Sequence, residues 1–181
     1  MAEPLILASR SPQRRAILQQ LGVEFRVEPP EAEELAGGDA RKVVVENSLR
    51  KARSVSGARV LGVDTAVVLD GRFFGKPRDE DEAETFLRRL SGRGHEVWSG
   101  VALRECGSER TATAVTRVRF RLLEQRDIDW YLASGEWRDR AGGYAIQGKG
   151  AALVTEIEGD YSNVVGLPIP ALVDLAPDLL R

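Results

Sequence analysis

The sequence predicts an α/β (mixed α+β) protein built on one mixed β-sheet with helices packed against it. Short apolar runs with the composition of strands recur along the chain, and periodic apolar segments typical of helices lie between them. The two types mix without strict alternation, which favours a mixed sheet. With 181 residues, 43% of them hydrophobic and 30% charged, the chain is long enough to bury a core and is predicted to form a single domain over residues 1–181.

The first half of the chain predicts two short strands and two helices. The apolar run Leu5–Ala8 is typical of a buried strand. A helix is expected directly afterwards, because Ser11 is a favourable N-cap with proline at the first helical position, and Gly22 is a typical stop signal. The predicted elements of this half are strand 5–8, helix 12–21, strand 25–28, an acidic loop at 29–39 and helix 40–56.

The second half of the chain predicts six further strands and three helices, the last of them near the C-terminal end. Asp70-Gly71 indicates a hairpin turn. Residues 79–90 have an acidic first turn and arginines in the last, which suits the helix dipole. In the alternating run 109–122, Val118, Phe120 and Leu122 are expected to share the buried face. The predicted elements are strands 60–63, 66–69, 73–74, 96–104, 109–122 and 152–157, and helices 79–90, 127–134 and from about 170.

Composition excludes several function classes. A net charge of −2 is not the basic footprint of a dedicated nucleic-acid binder. The single cysteine, Cys106, forms no internal disulfide, which predicts a reducing compartment, and together with the single histidine, His95, it is too little for a zinc site. Any metal is expected to be a hard cation held by carboxylates. No apolar run suits a signal peptide or a membrane span, so a cytoplasmic protein without a membrane partner is expected.

The segment after the first strand combines hydroxyls, arginines and a helix start. Ser9 and Ser11 lie at the strand end, and Arg14 and Arg15 lie in the first helical turn. Free N–H groups and the positive end of the helix dipole attract a phosphate at such a point. A plain helix cap with solvated arginines explains the same residues equally well, so both interpretations stay open here.

Asp64 is the acidic residue that is hardest to explain by structure alone. It lies in the apolar run 60–69, where burying an unpaired carboxylate is costly. A functional role is therefore favoured over a carboxylate bonded to a nearby backbone group or arginine. The glutamates of segment 28–34 are most simply explained as a solvated acidic loop. Beside a phosphate site, however, one of them could hold Mg²⁺ or Mn²⁺.

Two further segments contain suitable residues without the spacing of a specific motif. Lys76, between a glycine and a proline, could present a fixed charge to a phosphate, although the glycine spacing of a Walker loop is absent. Gln147, in the glycine-rich segment 142–150, could bind the amide or carbonyl edge of a base. His95 is predicted to be structural, because no Ser or Asp constellation surrounds it in the sequence.

Taken together, these segments resemble the Maf family of nucleoside triphosphate pyrophosphatases. The matching blocks occur in order from residue 5 to about residue 170, and the ordered set is specific although each block alone is a weak signal. The blocks are Leu7-Ala8-Ser9-Arg10-Ser11-Pro12-Gln13-Arg14-Arg15, Lys51-Ala52, Gly62-Val63-Asp64-Thr65, Gly75-Lys76-Pro77, Leu90-Ser91-Gly92-Arg93 with His95, Gly143-Tyr144-Ala145-Ile146-Gln147-Gly148, and residues 157–168.

The resemblance implies a fold, an activity and a set of site residues. The implied fold is a curved mixed sheet flanked by helices in two lobes, as in inosine triphosphate pyrophosphatases. The implied activity is hydrolysis of a nucleoside triphosphate to the monophosphate and pyrophosphate, with Mg²⁺ or Mn²⁺ as the cofactor and a homodimer as the assembly. By position, the resemblance assigns catalysis to Asp64, Glu34, Lys51 and Lys76, with Asp64 as the proton acceptor, metal binding to Glu34 and Asp64, and substrate binding to Ser9, Ser11, Gln13, Arg14, Thr65 and Gln147.

Residue 13 departs from the branch of the family that acts on dTTP and UTP. That branch usually has two arginines directly after the Ser-Pro pair, whereas this chain has Gln13 before Arg14. Thr65 and Gln147 nevertheless resemble the dTTP/UTP branch rather than the branch that takes 7-methyl-GTP. The resemblance therefore favours uracil and thymine nucleotides, including modified ones, with 7-methyl-GTP or another purine nucleotide as the alternative.

Two functions of other classes also stay open. A non-catalytic, nucleotide-sensing regulator of cell division is compatible with the resemblance, although the complete catalytic set speaks against a dead enzyme. Nucleic-acid binding through the strand face of Arg117, Arg119 and Arg121 is less favoured than a solvated face, because the net charge is negative and no aromatic residue is expected on the same face.

Overall fold

The computed structural model describes residues 4–180, and one seven-stranded sheet runs through them. Its strands are β1 (Leu5–Ala8), β2 (Phe25–Glu28), β3 (Arg59–Leu69), β4 (Arg72–Phe74), β5 (Gly94–Glu105), β6 (Ser108–Phe120) and β7 (Val154–Glu158). The helices are α1 (Pro12–Gln20), α2 (Ala40–Arg53), α3 (Glu80–Leu90), α4 (Gln125–Leu132), α5 (Tyr161–Val165) and α6 (Ile169–Leu175), with short 3₁₀ segments at Ala141–Gly143, Lys149–Leu153 and Pro177–Leu180. No helix within this described range is long and apolar enough to cross a membrane.

The order of the strands leaves part of β3 without a neighbour on one side. The sheet has the order β2-β1-β3-β5-β6-β7, and β4 pairs with the far end of β3. β1 is parallel to β2 and β3, whereas β3, β5, β6 and β7 are antiparallel. β1 ends at Ala8, opposite Gly62, and β4 pairs only from Val67 onward. Residues 63–66 therefore lie at an opening at the carboxyl end of β1, the position where open α/β sheets bind ligands.

Alternation along β3 separates two apolar clusters on one face of the sheet. Leu61 and Val63 pack with residues of α1 and α6, whereas Val67 and Leu69 pack with residues of α3 and α4. Thr65 lies between these pairs and hydrogen-bonds to polar side chains. The helices on this face therefore form two groups with a polar boundary between them. This arrangement confirms the predicted fold class, a mixed sheet flanked by helices.

Helix α2 covers the opposite face and packs so closely that glycine is required beneath it. A Cβ atom on Gly62 would lie 2.1 Å from the Ser48 carbonyl oxygen, and one on Gly100 would lie 2.2 Å from that of Val44. Because side chains alternate along a strand, Asp64 points to the same face as Gly62. The carboxylate therefore lies under α2, beside the polar side chains that this helix carries.

Two strand predictions were wrong in detail. The runs 60–63 and 66–69 form one continuous strand, because Asp64 and Thr65 keep their pairing with Gly100 and Ser99 of β5. The strand predicted to extend to Leu122 ends at Phe120. Leu122, expected on the buried face, is 77% exposed, because the chain leaves the sheet there and turns toward α4.

Helix boundaries show smaller differences. The helix predicted over 40–56 ends at Arg53, and the one predicted over 127–134 spans Gln125–Leu132. Helix α5 was not predicted, because its five residues are too few to show an apolar period. It begins after Asp160, whose side chain accepts a hydrogen bond from the Ser162 N–H.

Candidate active site

A cleft of about 640 Å³ opens at the unpaired stretch of β3. Its lining comes from the β1–α1 turn, the acidic loop, α2, β3, β5, the segment after β4, the end of α5 and the segment before and after the 3₁₀ turn at Ala141–Gly143. The structure brings all the predicted site residues together here, although their chemical roles stay predictions. They are Ser9, Ser11, Gln13, Arg14, Glu34, Lys51, Asp64, Thr65, Lys76 and Gln147.

Lys51 is the centre of a charge cluster on the floor of the cleft. Its Nζ atom donates to Asp64 Oδ1 at 2.6 Å and pairs with Glu34 Oε1 at 2.9 Å. The side chains of Lys51 and Asp64 are each 8% exposed, whereas that of Glu34 is 53% exposed. The buried carboxylate of Asp64 in the apolar strand β3 is therefore paired with a cation. That cation, Lys51, lies on α2, four residues after Asn47.

Asn47 is a site residue that sequence reasoning missed. Its side chain is buried, and its Nδ2 atom donates to Asp64 Oδ2 at 3.0 Å and to the Leu35 carbonyl oxygen at 3.0 Å. Its Oδ1 atom accepts from the Leu35 N–H at 2.8 Å. The available signal was its position four residues before Lys51, which places both side chains on one helix face.

Arg14 supplies a buried positive charge beside this cluster. It is 9% exposed, and it donates to Gly166 O at 2.8 Å, Ser9 Oγ at 3.2 Å and Thr65 Oγ1 at 3.1 Å. Burial lowers its pKa, an effect that the negative charges of Asp64 and Glu34 oppose. Among the ion pairs of residues 4–180, none involves this guanidinium. An anion in the cleft would therefore compensate a buried charge.

Thr65 has a structural role that the sequence did not reveal. Its Oγ1 atom accepts from Arg14 and is hydrogen-bonded to Ser99 Oγ at 2.9 Å. The hydroxyl is therefore already used within the protein. Any effect of Thr65 on base choice is expected to come from the size of its side chain and from the position that it gives to Arg14.

The start of α1 carries Gln13 into the cleft in a defined orientation. Gln13 Oε1 accepts from Arg140 Nη1 at 2.6 Å and from Ser11 Oγ at 3.1 Å. A guanidinium has no acceptor, so the oxygen of the amide must face Arg140 and the NH₂ group must point elsewhere. Arg140 was not predicted as a site residue. Ser11 caps α1 by accepting from the Arg14 N–H, which confirms the predicted helix start.

Lys76 and Gln147, two further predicted residues that are exposed, lie at the cleft mouth. Behind it, the Tyr144 hydroxyl is hydrogen-bonded to His95 Nε2 at 2.8 Å. Burial lowers the pKa of His95 to about 4 and raises the pKa of Tyr144. His95 is 2% exposed and lies outside the cleft lining, in agreement with the structural role predicted for it.

Comparison with known proteins identifies the family of this chain. The model of the family described as "Maf-like protein" matches residues 4–179. The chain belongs to the Maf family.

Several curated relatives of this Maf protein, from different bacteria, carry the same name. A dTTP/UTP pyrophosphatase of Symbiobacterium thermophilum is 50% identical over 96% of this chain and 92% of its own length. The dTTP/UTP pyrophosphatase of Dictyoglomus turgidum is 45% identical over 97% of this chain and 95% of its own length. Among solved structures, the Ham1 protein of Staphylococcus aureus matches with a TM-score of 0.44 and 11% identity over 65% of this chain and 72% of that chain.

The donor set of this Maf protein suits a hard divalent cation. Glu34 Oε1 and Asp64 Oδ1 lie 2.9 Å and 2.6 Å from the same atom, Lys51 Nζ, so the two carboxylates are close enough for each to offer an oxygen to a common ion. Residues 4–180 contain no group of three or more His, Cys, Asp or Glu side chains arranged for a metal. Mg²⁺ commonly takes only one or two carboxylates and fills its other positions with phosphate oxygens and water. Two neighbouring carboxylates can therefore fit such an ion if a bound ligand supplies further oxygens.

The strand face of arginines lies outside the cleft. Arg121 pairs with Asp127 at 2.8 Å, and Arg117 and Arg119 lie 3.7 Å and 3.6 Å from the carboxylates of Glu96 and Glu156. Each of these arginines thus faces a carboxylate, so this part of the described surface carries little excess positive charge.

Proposed function

We propose that this Maf protein hydrolyses dTTP and UTP to the nucleoside monophosphate and pyrophosphate. The observation that carries the proposal is the Lys51 ammonium held between Asp64 and Glu34 in a cleft that also contains the buried, unpaired charge of Arg14. The cleft lining contains six Lys or Arg side chains and three carboxylates, an excess of positive charge that suits a triphosphate. The names of the relatives add independent support.

In the proposed reaction, a water oxygen attacks the α-phosphorus and the bond from that phosphorus to the bridging oxygen breaks. Asp64 accepts one proton of the water, and pyrophosphate leaves with the bridging oxygen. The carboxylate suits this role because Lys51 and Asn47 fix one of its oxygens each. Every carboxylate oxygen has a second lone pair, which stays available for the water.

Neutralisation of charge on the leaving pyrophosphate is proposed for the cationic side chains. Lys51 and Arg14 act from the floor of the cleft, and Lys76 acts from its mouth. Such groups stabilise a transition state that spreads charge over phosphate oxygens. Mg²⁺ or Mn²⁺, when held by Glu34 and Asp64, would supply further positive charge to the same oxygens and favour deprotonation of water.

Base choice is proposed to depend on Gln13, Thr65 and Gln147. The NH₂ group of Gln13 is a donor, because its oxygen is occupied by Arg140 and Ser11. The observation that favours a second candidate, the same reaction on 7-methyl-GTP or another purine nucleotide, is the presence of an amide at residue 13 where the dTTP/UTP branch usually has arginine.

A nucleotide panel tests the function. The purified protein is incubated with Mg²⁺ or Mn²⁺ and with dTTP, UTP, CTP, ATP, GTP, 7-methyl-GTP and modified pyrimidine nucleotides, and pyrophosphate is detected. We expect release from dTTP and UTP, and its loss in Asp64→Asn. Release mainly from a purine nucleotide would support the proposed hydrolysis to monophosphate and pyrophosphate but reject the preference for uracil and thymine. No release from any nucleotide would reject the enzyme and favour the non-catalytic, nucleotide-sensing regulator of cell division.

Two statements about the cellular state of the protein belong to the proposal. We propose a homodimer, which sedimentation of the purified protein would test. We also propose a cytoplasmic location, in keeping with the single, exposed and unpaired Cys106 among the described residues. Fractionation of cells tests this location.

A further inference from the structure

Asn47 connects the acidic loop, residues 29–39, to the carboxylate on β3. Its side chain forms hydrogen bonds with both the N–H and the carbonyl oxygen of Leu35, at 2.8 Å and 3.0 Å. The same Nδ2 atom donates to Asp64 Oδ2 at 3.0 Å. Leu35 directly follows Glu34, whose carboxylate reaches Lys51. One buried amide thus contacts the segment that carries one acid and the other acid itself.

The orientation of this amide is determined by its partners. The Leu35 N–H can only donate, so it must face Oδ1. The Leu35 carbonyl oxygen and the ionised Asp64 carboxylate can only accept, so both must face Nδ2. All three partners agree on one orientation, and both N–H donors of Asn47 are used. An aspartate or a leucine, each with the same branching and number of non-hydrogen side-chain atoms, cannot make the same set of contacts.

The acidic loop depends on α2 for its position. It contains no regular secondary structure, and Glu34 and Leu35 are both exposed. Side chains of α2 bond to its backbone at two places, Asn47 at Leu35 and Arg50 at the Glu33 carbonyl oxygen, the latter at 3.2 Å. Of these two anchors, only Asn47 also contacts Asp64.

We propose that Asn47 is a positioning residue that holds Glu34 and Asp64 in register, so that their carboxylates serve one divalent cation and one substrate. The proposal rests on the proposed function for its catalytic consequence, whereas its structural part is independent of any activity. Asn47 contacts Asp64 and the segment that carries Glu34, and it does not line the cleft. Its loss should therefore weaken the use of the metal more than it changes the choice of base.

Hydrogen exchange of the protein without metal or nucleotide tests the structural part. Asn47→Leu keeps the branched shape and the number of non-hydrogen side-chain atoms and removes all three hydrogen bonds. The Leu35 amide should then exchange at least about tenfold faster, because its acceptor is gone. Arg104→Ala is the control, because Arg104 also anchors this part of the chain, through the carbonyl oxygens of Ala52 in the last turn of α2 and Val55 just after it, but does not contact the acidic loop. Unchanged exchange at Leu35 in Asn47→Leu, or equal acceleration in Arg104→Ala, would overturn the proposal.

Pyrophosphate release over a range of Mg²⁺ concentrations tests the catalytic part, well below the unfolding temperature of each variant. We expect the half-saturating Mg²⁺ concentration to rise at least about tenfold in Asn47→Leu and to stay unchanged in Arg104→Ala, with the UTP-to-CTP preference kept in both. Asn47→Ser, which keeps a polar group, replaces Asn47→Leu in both measurements if the latter does not fold. Faster exchange at Leu35 with normal Mg²⁺ dependence would show that Asn47 holds the loop without affecting metal use, and would reject the catalytic part of the proposal. An inactive wild-type protein would instead reject the proposed function, and the exchange result would still decide whether Asn47 holds the loop.

Discussion

Replacing Asp64 by asparagine should lower the rate of pyrophosphate release strongly and the unfolding free energy only moderately. The carboxylate accepts from Lys51 at 2.6 Å and from Asn47 at 3.0 Å, one donor at each oxygen. An asparagine offers one oxygen and one NH₂ group to these two donors, so one of the contacts becomes a donor facing a donor. The side chain keeps its size, and Lys51 keeps Glu34 as a partner at 2.9 Å.

The magnitudes follow from these contacts. Losing one charge-assisted hydrogen bond costs about 1.5–3 kcal/mol of unfolding free energy, and the remaining Glu34 contact keeps the loss below the value for a fully unpaired buried charge. For a chain of this length, a loss of about 2 kcal/mol corresponds to a fall in Tm of about 4–8 °C. Removal of a general base lowers the rate by about 10²–10⁴-fold.

The assay combines pyrophosphate release from dTTP and UTP with thermal unfolding of the same samples. Asp70→Asn is the control, because Asp70 forms an exposed ion pair with Arg93 and lies in the β3–β4 turn. We expect it to keep both activity and Tm. Near-normal turnover in Asp64→Asn would refute the role of Asp64 as the proton acceptor. A loss of activity accompanied by unfolding at the assay temperature would refute the calculated stability.

Three further predictions concern pH, packing and base choice. The pKa of His95 is about 4 in the folded protein, below the ordinary value of 6.5, so the unfolded chain takes up this proton at a higher pH than the folded protein does. The associated stability is therefore present above pH 6.5 and is lost as the pH falls to about 4, at up to about 1.4 kcal/mol per pH unit. Urea unfolding of the wild type and of His95→Gln over this pH range isolates the effect. Gly100→Ala should lower the unfolding free energy by about 1–3 kcal/mol or more, because its Cβ would lie 2.2 Å from the Val44 carbonyl oxygen, and calorimetry checks this. Gln13→Arg places a second cation near Arg140 and removes an amide donor, so the ratio of kcat/KM for UTP to kcat/KM for GTP should change. An unchanged ratio in the nucleotide panel would show that Gln13 does not contribute to base choice.

The fold class could be predicted because it depends on local patterns. The apolar run of β1, the cap at Ser11 and the Asp70-Gly71 turn are each specified by neighbouring residues, and the structure contains all three. Leu122 shows the limit of this reasoning. Its place in the alternating pattern indicated burial, but the end of β6 is determined by where pairing with β5 and β7 stops, and this depends on distant segments.

Most of the candidate site residues could also be predicted from the family resemblance, whereas Asn47 and Arg140 were missed. The sequence did not reveal what those residues do to each other. The Thr65 hydroxyl accepts a hydrogen bond from Arg14, which lies 51 residues away in the sequence. Arg140 orients Gln13 over a separation of 127 residues. No local pattern carries such information, since it arises only when strands and turns are placed in one sheet.

The sequence by itself determined the class of the fold, the family and the chemical types gathered at the site, because these are properties of residues and of their spacing along the chain. The tertiary structure decided the pairing of charges. Asp64 is acceptable in an apolar strand only because α2 places Lys51 and Asn47 over it, and the approach of that helix requires glycine at residues 62 and 100. Burial makes such pairing obligatory, and only the packed helix and sheet determine which groups become partners.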